Sequence, residues 1–283
     1  MSAVPGSDYD MWLRACQRAG AKVSAMLKGT VGVEQRVREV GTRGCGGDLT
    51  LVLDAEAEEV VFSELATLHE QGLNFQALSE ERGKVSFGGL MPLVVVDPID
   101  GSLNAKRGAP HHALSIAVAD GTRMDDVRFG YVYDFGTHEE WWAATGTGAF
   151  LNGSPIDPNV PARCSRDGRL ELLAIESGDP HWLLAAGEAL ERAAHRLRAL
   201  GSISVALCEV ASARVDGMAT LRPARAVDAA AAQLIVREAG GLIAFPELDA
   251  PLSAPLDLDT RTPLIAARGA EPLKLLEGIC QRL

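Results

Sequence analysis

Five carboxylates and one hydroxyl in this chain have the types and spacing to do chemistry. Glu80 and Glu81 follow the run NFQALS, Asp97 and Asp100 close the apolar run LMPLVVV, Ser102 follows them after a glycine, and Asp228 opens DAAAAQLIVREAGG. Each acid alone has an ordinary structural role: exposed acids after a strand, a Pro-and-Gly turn, an N-cap aspartate. Together they have another. Carboxylates at several element ends, beside a Gly-Ser helix start, supply what a hard, oxygen-ligated cation and a phosphate both require. Magnesium takes oxygen ligands in near-octahedral geometry, and two such ions can hold the attacking and leaving oxygens of a phosphoryl transfer.

Elements must deliver these groups. LMPLVVV is expected to be a buried strand that carries Asp97 and Asp100 rigidly, with Pro98 fixing the bend and Gly101 letting the backbone come close to a ligand. NFQALSEE is expected to be a strand ending in its carboxylates. Ahead of it, Met11, Ala15, Ala19, Val23 and Met26 recur at helical spacing between residues 8 and 27, and Ala57, Val61, Leu65 and Leu68 form a second stripe closed by Gly72. The Gly-rich stretch between these helices, ending in TRGCGGDLT, is expected to be a mobile loop. HHALSIAVA and FGYVYDF alternate as strands, and GTGAFLNGSPI is a set of turns around a short strand.

Further on, LLAIES reads as a strand, HWLLAAGEALERAAHRLRAL as one helix, SISVALCEVASAR as a helix, and DAAAAQLIVREAGG as a helix stopped by two glycines. An acidic Pro-rich loop, a strand TPLIAAR and a terminal helix complete the chain. Strands alternating with helices predict a layered α/β (α+β) architecture. With no repeat and no linker composition, a single domain over residues 1–283 is expected, its N-terminal α+β half being 1–155 and its C-terminal α/β half 156–283. His111 and His112 are placed side by side on a strand, facing opposite ways, which makes them structural rather than a metal pair. GTGAFLNG lacks the Gly-Lys-Ser/Thr of a phosphate loop. Trp141 and Trp142 are read as packing residues.

At 283 residues, with 47% hydrophobic and 23% charged side chains, the chain can bury a substantial core. Its net charge of −11 opposes non-specific attraction to nucleic acid or to an anionic membrane. Its five cysteines are scattered without a C-x-x-C pair, suggesting neither a disulfide framework nor a zinc cluster. No basic region followed by an apolar one opens the sequence, and no apolar run has spanning length, so a cytoplasmic protein is expected.

The motifs taken together carry a resemblance. SEE at Ser79 to Glu81, DPIDGS at Asp97 to Ser102 with Asn104 behind it, and VDAAAAQLIVREAGG at Val227 to Gly241 follow one another as in the inositol monophosphatase superfamily of magnesium-dependent, lithium-sensitive phosphomonoesterases. GDLTLVLD, GTGAFLNGSPI and ALGSISVALCEVASARVDGM also match, so the chain resembles that family from about residue 8 to its end. The resemblance implies an αβαβα sandwich, a homodimer, a small phosphate ester as substrate, and two or three Mg²⁺ ions. Carried over residue by residue, it makes Glu80, Asp97, the Ile99 carbonyl, Asp100 and Asp228 the metal ligands. Gly101 and Ser102 would offer backbone N–H groups to the phosphate, and the Ser102 hydroxyl with Glu80 would orient the attacking water. Asp48 matches an acid on a mobile loop that assists a third ion or the water. Arg198, Gly201 and Ser202 fall on the substrate side.

Departures from the family pattern bear on specificity. Val227 replaces a tryptophan and Ala105 a phenylalanine, which is similar to the archaeal-type branch acting on both inositol monophosphate and fructose-1,6-bisphosphate. Animal members have a glutamate shortly before the last aspartate that grips inositol hydroxyls; Thr220-Leu221-Arg222 stands there instead. Arg222 and Arg225 add positive charge that either serves a second phosphate or pairs with surface acids. Inositol-1-phosphate is the first expected substrate, fructose-1,6-bisphosphate the alternative, with histidinol phosphate and phosphoadenosine phosphate behind. A non-catalytic regulatory relative is the competing class, and a lost ligand would favour it. None is lost.

Overall fold

The computed structural model describes residues 9–29, 39–43, 45 and 49–280. Asp48 lies outside the described residues. Five layers stack in the order helix, sheet, helix, sheet, helix, as the sequence led us to expect. The first holds the helices Asp10–Gly29 and Val52–Glu70. Their stripes bury Trp12, Cys16, Ala19, Val23, Ala57, Val61 and Leu65 against one face of a seven-stranded sheet. The first stripe sits slightly off the expected one, for Met11 is exposed while Trp12 and Cys16 point inwards. Glu64 ties the two helices together, accepting from Arg18 Nε at 2.7 Å and Lys22 Nζ at 2.6 Å.

The seven strands lie in sequence order, from Phe75–Ser79 to Ser154–Pro155. Alternation explains how one sheet serves two cores: Val94 and Val96 face the first two helices, whereas Leu93 and Val95 face the middle layer. The strand Gly83–Asp100 is longer than LMPLVVV, and its continuous burial starts only at Leu93, with Leu90 and Met91 exposed. Residues 83–88 run antiparallel to Phe75–Ser79 and residues 93–96 run parallel to it, so one strand flanks its neighbour on both edges.

The middle layer consists of the helices Ile203–Ala211 and Ala230–Glu238, which pack between the sheets. The four-alanine run, Ala229 to Ala232, is fully buried. Its small side chains let the second of these helices press on the sheet so closely that a Cβ at Gly130 would stand 2.4 Å from the Ala231 carbonyl oxygen. The second sheet has five strands in the order Leu197–Arg198, Leu173–Glu176, Gly217–Thr220, Ile265–Ala267, Leu242–Ala244. Its outer face is covered by the helices Pro180–Ala185, Gly187–Ala193 and Ala270–Cys280. Just past that sheet, the buried guanidinium of Arg268 donates to the carbonyls of Val160, Ala211 and Asp157.

Two local expectations fail for identifiable reasons. The single helix expected over HWLLAAGEALERAAHRLRAL is two short helices that meet at Ala186, before the poor helix former Gly187. The chain then leaves for the sheet, where Leu197 pairs with Leu173, because edge pairing satisfies backbone groups that a longer helix would not. The Gly-rich stretch expected as a loop contains an antiparallel strand pair, Glu39–Arg43 with Leu49–Leu51. Among the described residues no helix is long and apolar enough to cross a membrane.

Candidate metal centre

The buried end of the strand Gly83–Asp100 does not stop flat. Asp97 lies opposite Ser115 and Asp100 opposite Ala113, so three steps on one strand face two on the other. The extra residue is a bulge, which turns the strand end and aims both carboxylates the same way. Pro98 fits there because a bulged residue has no ladder bond to lose. The Ile99 N–H donates to Asp97 Oδ1 at 3.1 Å, and Ser102 Oγ donates to the Ile99 carbonyl at 3.0 Å, closing the turn on itself.

Gly101 caps the short helix Ser102–Arg107 with φ 90°, a left-handed conformation. A Cβ there would stand 2.9 Å from the carbonyl oxygens of both Gly201 and His111. Asn104 ties down the same two segments, donating through Nδ2 to His111 O at 2.9 Å and Leu200 O at 2.7 Å. Asp100 is fixed from behind. Its Oδ2 accepts from Ser202 Oγ and the Ser204 N–H, both at 2.6 Å, and from Ser204 Oγ. These bonds all engage one carboxylate oxygen of a residue that also lines the cavity.

Glu80 comes from the end of Phe75–Ser79, and Asp228 from a 3₁₀ turn, Ala226–Ala229, just ahead of the helix it was expected to cap. Oxygens of Glu80, Asp97 and Asp228 all lie within 4.8 Å of one another. Such crowding has an electrostatic signature. Burial pushes the Asp97 carboxyl far above its ordinary range, and the charges of Asp100, Glu80 and Asp228 push it further. Burial also raises Asp100, against the pull of its serine hydrogen bonds, and raises Asp228, against the pull of Arg225. A largely buried carboxylate cluster in which Asp97 and Asp228 resist ionising fits a hard divalent cation.

These acids line a cavity of about 410 Å³ together with Glu81, Ile99, Gly101 and Ser102. Asp54, Lys106 and Arg225 also line it, and the sequence did not point to the first two. Asp54 is the last residue of the GDLTLVLD segment, in the first turn of the helix Val52–Glu70, and no local spacing links it to residues a sheet away. Arg225 turns inwards: it pairs with Glu80, and its Nε stands 3.3 Å from Asp228 Oδ1.

Three residues expected on the substrate side are not brought to this cavity. Arg198 is exposed and donates to its neighbour Leu197 O at 2.9 Å. Ser202 is buried behind Asp100 and caps the helix Ile203–Ala211, accepting from the Val205 N–H at 3.2 Å. Gly201 packs against Gly101 and Asn104. His111 and His112 precede the strand Ala113–Ala119 rather than lying in it. His111 Nδ1 sits 3.2 Å from Asp134 Oδ2, and His112 is buried.

Glu176 was missed by sequence reading altogether. Buried at the end of Leu173–Glu176, it accepts from the Leu200 N–H at 3.2 Å and the Gly201 N–H at 3.0 Å, holding the loop that supports Gly101 and Asp100. Burial, with the Asp100 charge second, pushes its carboxyl up to about 8. The folded protein thus keeps a proton that the unfolded chain releases. That stabilisation is complete below the ordinary carboxyl pKa and is lost as the pH rises through about 8. With Mg²⁺ saturating, we expect Glu176→Gln to melt above the unaltered protein at alkaline pH by roughly 2–4 °C, about 1 kcal/mol, and to flatten the pH dependence. Parallel melting curves for the two proteins across that window would remove Glu176 as its source.

Comparison with known proteins agrees with this geometry. The profile of the inositol monophosphatase family matches residues 8–283. A protein named fructose-1,6-bisphosphatase/inositol-1-monophosphatase, from Methanothermobacter thermautotrophicus, is 34% identical over 288 residues, with 98% of each chain covered. One of the same name from Thermococcus kodakarensis is 32% identical, over 82% of this chain and 83% of that one. A crystal structure of an inositol monophosphatase–fructose 1,6 bisphosphatase superposes with a TM-score of 0.79 at 27% identity, covering 95% of this chain and 99% of the other.

Proposed function

The chain belongs to the inositol monophosphatase family and is a Mg²⁺-dependent phosphomonoesterase, and we propose that it hydrolyses a small cyclitol or sugar phosphate, inositol-1-phosphate first and fructose-1,6-bisphosphate as the alternative. The observation that carries this reading is the convergence of Glu80, Asp97 and Asp228 within 4.8 Å, beside the turn that starts at Gly101. We assign Glu80, Asp97, Asp100, Asp228 and the Ile99 carbonyl to holding Mg²⁺. When bound, the ion supplies Lewis acidity towards the phosphate oxygens and makes water a better nucleophile at neutral pH.

The chain's own groups do the rest. Gly101 and Ser102 stand on the cavity wall, where their backbone N–H groups are assigned to the phosphate. Lys106, one turn further along the same wall, adds an ammonium for the same anion. The Ser102 proton is committed to the Ile99 carbonyl. Its oxygen lone pairs, with the Glu80 carboxylate, are therefore the acceptors that hold a water by its protons and aim its oxygen at phosphorus. Retention of every acid in the set favours catalysis over a purely regulatory role.

What supports both substrates is the position of the missing acid. Leu221 is buried in the core beneath the second sheet and Arg222 is exposed, so no carboxylate at this point grips neighbouring hydroxyls. A site without such bonds loses the penalty that would reject analogues. We expect Mg²⁺-dependent phosphate release from both inositol-1-phosphate and fructose-1,6-bisphosphate, with kcat/KM values within about a hundredfold, under about 3 kcal/mol of discrimination. EDTA should abolish both activities and added Mg²⁺ restore them, with histidinol phosphate and phosphoadenosine phosphate as comparison substrates. Undiminished turnover in EDTA would remove the metal from the mechanism. A preference of about four orders of magnitude for one ester would reveal a recognition group beyond those named here.

A further inference from the structure

The centre already contains a cation. Arg225 belongs to a short strand pair, Ala224–Arg225 with Arg261–Thr262, that runs straight into the 3₁₀ turn carrying Asp228. Three residues apart, Arg225 and Asp228 face the same cavity, and the side chains of both are almost wholly buried. The guanidinium pairs with Glu80 from the first sheet and with Asp228 from the second half of the chain. Two of the three acids in the tight cluster are thus held by one side chain.

We propose that Arg225 is a built-in counter-ion, which holds Glu80 and Asp228 in place before metal arrives and must give up Glu80 as Mg²⁺ enters, so that it sets the metal affinity of the centre. This rests on the assignment of these acids to Mg²⁺. Buried carboxylates of like sign repel strongly unless a cation stands among them, and a planar, weakly hydrated guanidinium is suited to a partly dry site. The same charge works against a second cation. It engages oxygens the ion needs and repels the ion across a few ångströms of low-dielectric protein. Arg225 therefore favours a folded metal-free enzyme at the cost of weaker metal binding, and it is not available to a second substrate phosphate in that state.

The full chain is the subject of the test, with Arg225→Met, Arg225→Gln and Arg225→Lys compared at about pH 8, where ordinary carboxylates are ionised. Mg²⁺ affinity is read by titration calorimetry and the thermal midpoint is read in EDTA and in saturating Mg²⁺. Both neutral variants should bind Mg²⁺ at least about tenfold more tightly than the unaltered protein, or 1.4 kcal/mol, and Arg225→Lys should stay near it. The neutral variants should also melt lower in EDTA, with the deficit closing in Mg²⁺. If Arg225→Met does not fold without metal, Arg225→Gln, which keeps a hydrogen-bonding group towards Glu80, carries the affinity measurement. Unchanged or weaker Mg²⁺ binding by the folded neutral variants overturns the proposal. Absence of Mg²⁺ binding by the unaltered protein overturns it together with the assignment of the centre.

Discussion

Asp97→Asn is expected to lose at least about a thousandfold in kcat/KM, some 4 kcal/mol of transition-state stabilisation, while its metal-free form melts no lower than the unaltered protein. The two halves of this result have separate causes. Activity falls because Asp97 is one of three acids whose oxygens converge, and an amide brings no charge to a divalent ion. Stability holds because the carboxylate is a burden on the metal-free fold. Its pKa is pushed far up by burial and then by Asp100, Glu80 and Asp228, so ionising it at neutral pH disfavours the folded state. Asparagine removes that charge and still offers Oδ1 to the Ile99 N–H. Phosphate release and thermal midpoints in EDTA check the pair of outcomes. Turnover at the unaltered rate would sink the ligand assignment, and a midpoint lowered by several degrees would make Asp97 a structural residue.

The second large effect is expected at Gly101. Alanine there must adopt φ 90° and place its methyl carbon 2.9 Å from two backbone oxygens and 3.2 Å from Ser202 Cβ. Neither oxygen can swing away alone. His111 O is tied to Asn104, and the Gly201 carbonyl lies between the Gly201 N–H held by Glu176 and Ser202, whose hydroxyl is held by Asp100. The loop must shift as a unit, which draws Ser202 off Asp100. Left-handed strain of about 1–2 kcal/mol together with the displaced loop gives a loss of about 3 kcal/mol, roughly 6–12 °C in thermal midpoint. Gly146→Ala is the control: it has φ 77° but nothing within 4 Å of the added carbon, so it carries only the backbone strain. Equal losses at the two positions would show that crowding behind the site is not what makes Gly101 special.

The layered fold and the main carboxylates were readable in the sequence because the signals for them are local. An apolar run ending in Asp-Pro-Ile-Asp-Gly announces a strand, its end and its turn within a few residues, and Ala-rich periodicity announces helices that pack closely. Support from a distance left no such trace. Ser202 and Ser204 lie about a hundred positions from the Asp100 they hold, and Glu176 acts on a loop 24 and 25 positions away. The family resemblance puts Ser202 on the substrate side, and in the structure its hydroxyl serves a carboxylate and a helix cap. Arg225 looked like surface charge or a phosphate ligand, since nothing in Arg-Ala-Val-Asp tells which way the guanidinium turns. The end of the second short helix at Ala193 has no local signal either, because it is set by the pairing of Leu197 with Leu173, which outcompetes helical propensity in the stretch that follows.

Arg268 has consequences for how the molecule can come apart. Its three bonds all go to carbonyls, those of Asp157 and Val160 on the segment leaving the first sheet and that of Ala211 at the end of a helix between the sheets. Peeling that segment away would strand a charged group in the interior with its acceptors gone, a state several kcal/mol above the native one. Partial opening along this seam is therefore disfavoured relative to states that keep the segment in place. The acids assigned to Mg²⁺ gain from this. Asp97 and Asp100 end a strand of the first sheet, whereas Asp228 follows the separate short pair of Ala224–Arg225 with Arg261–Thr262, so an opening that parted these elements would scatter the ligand set in a still largely folded protein.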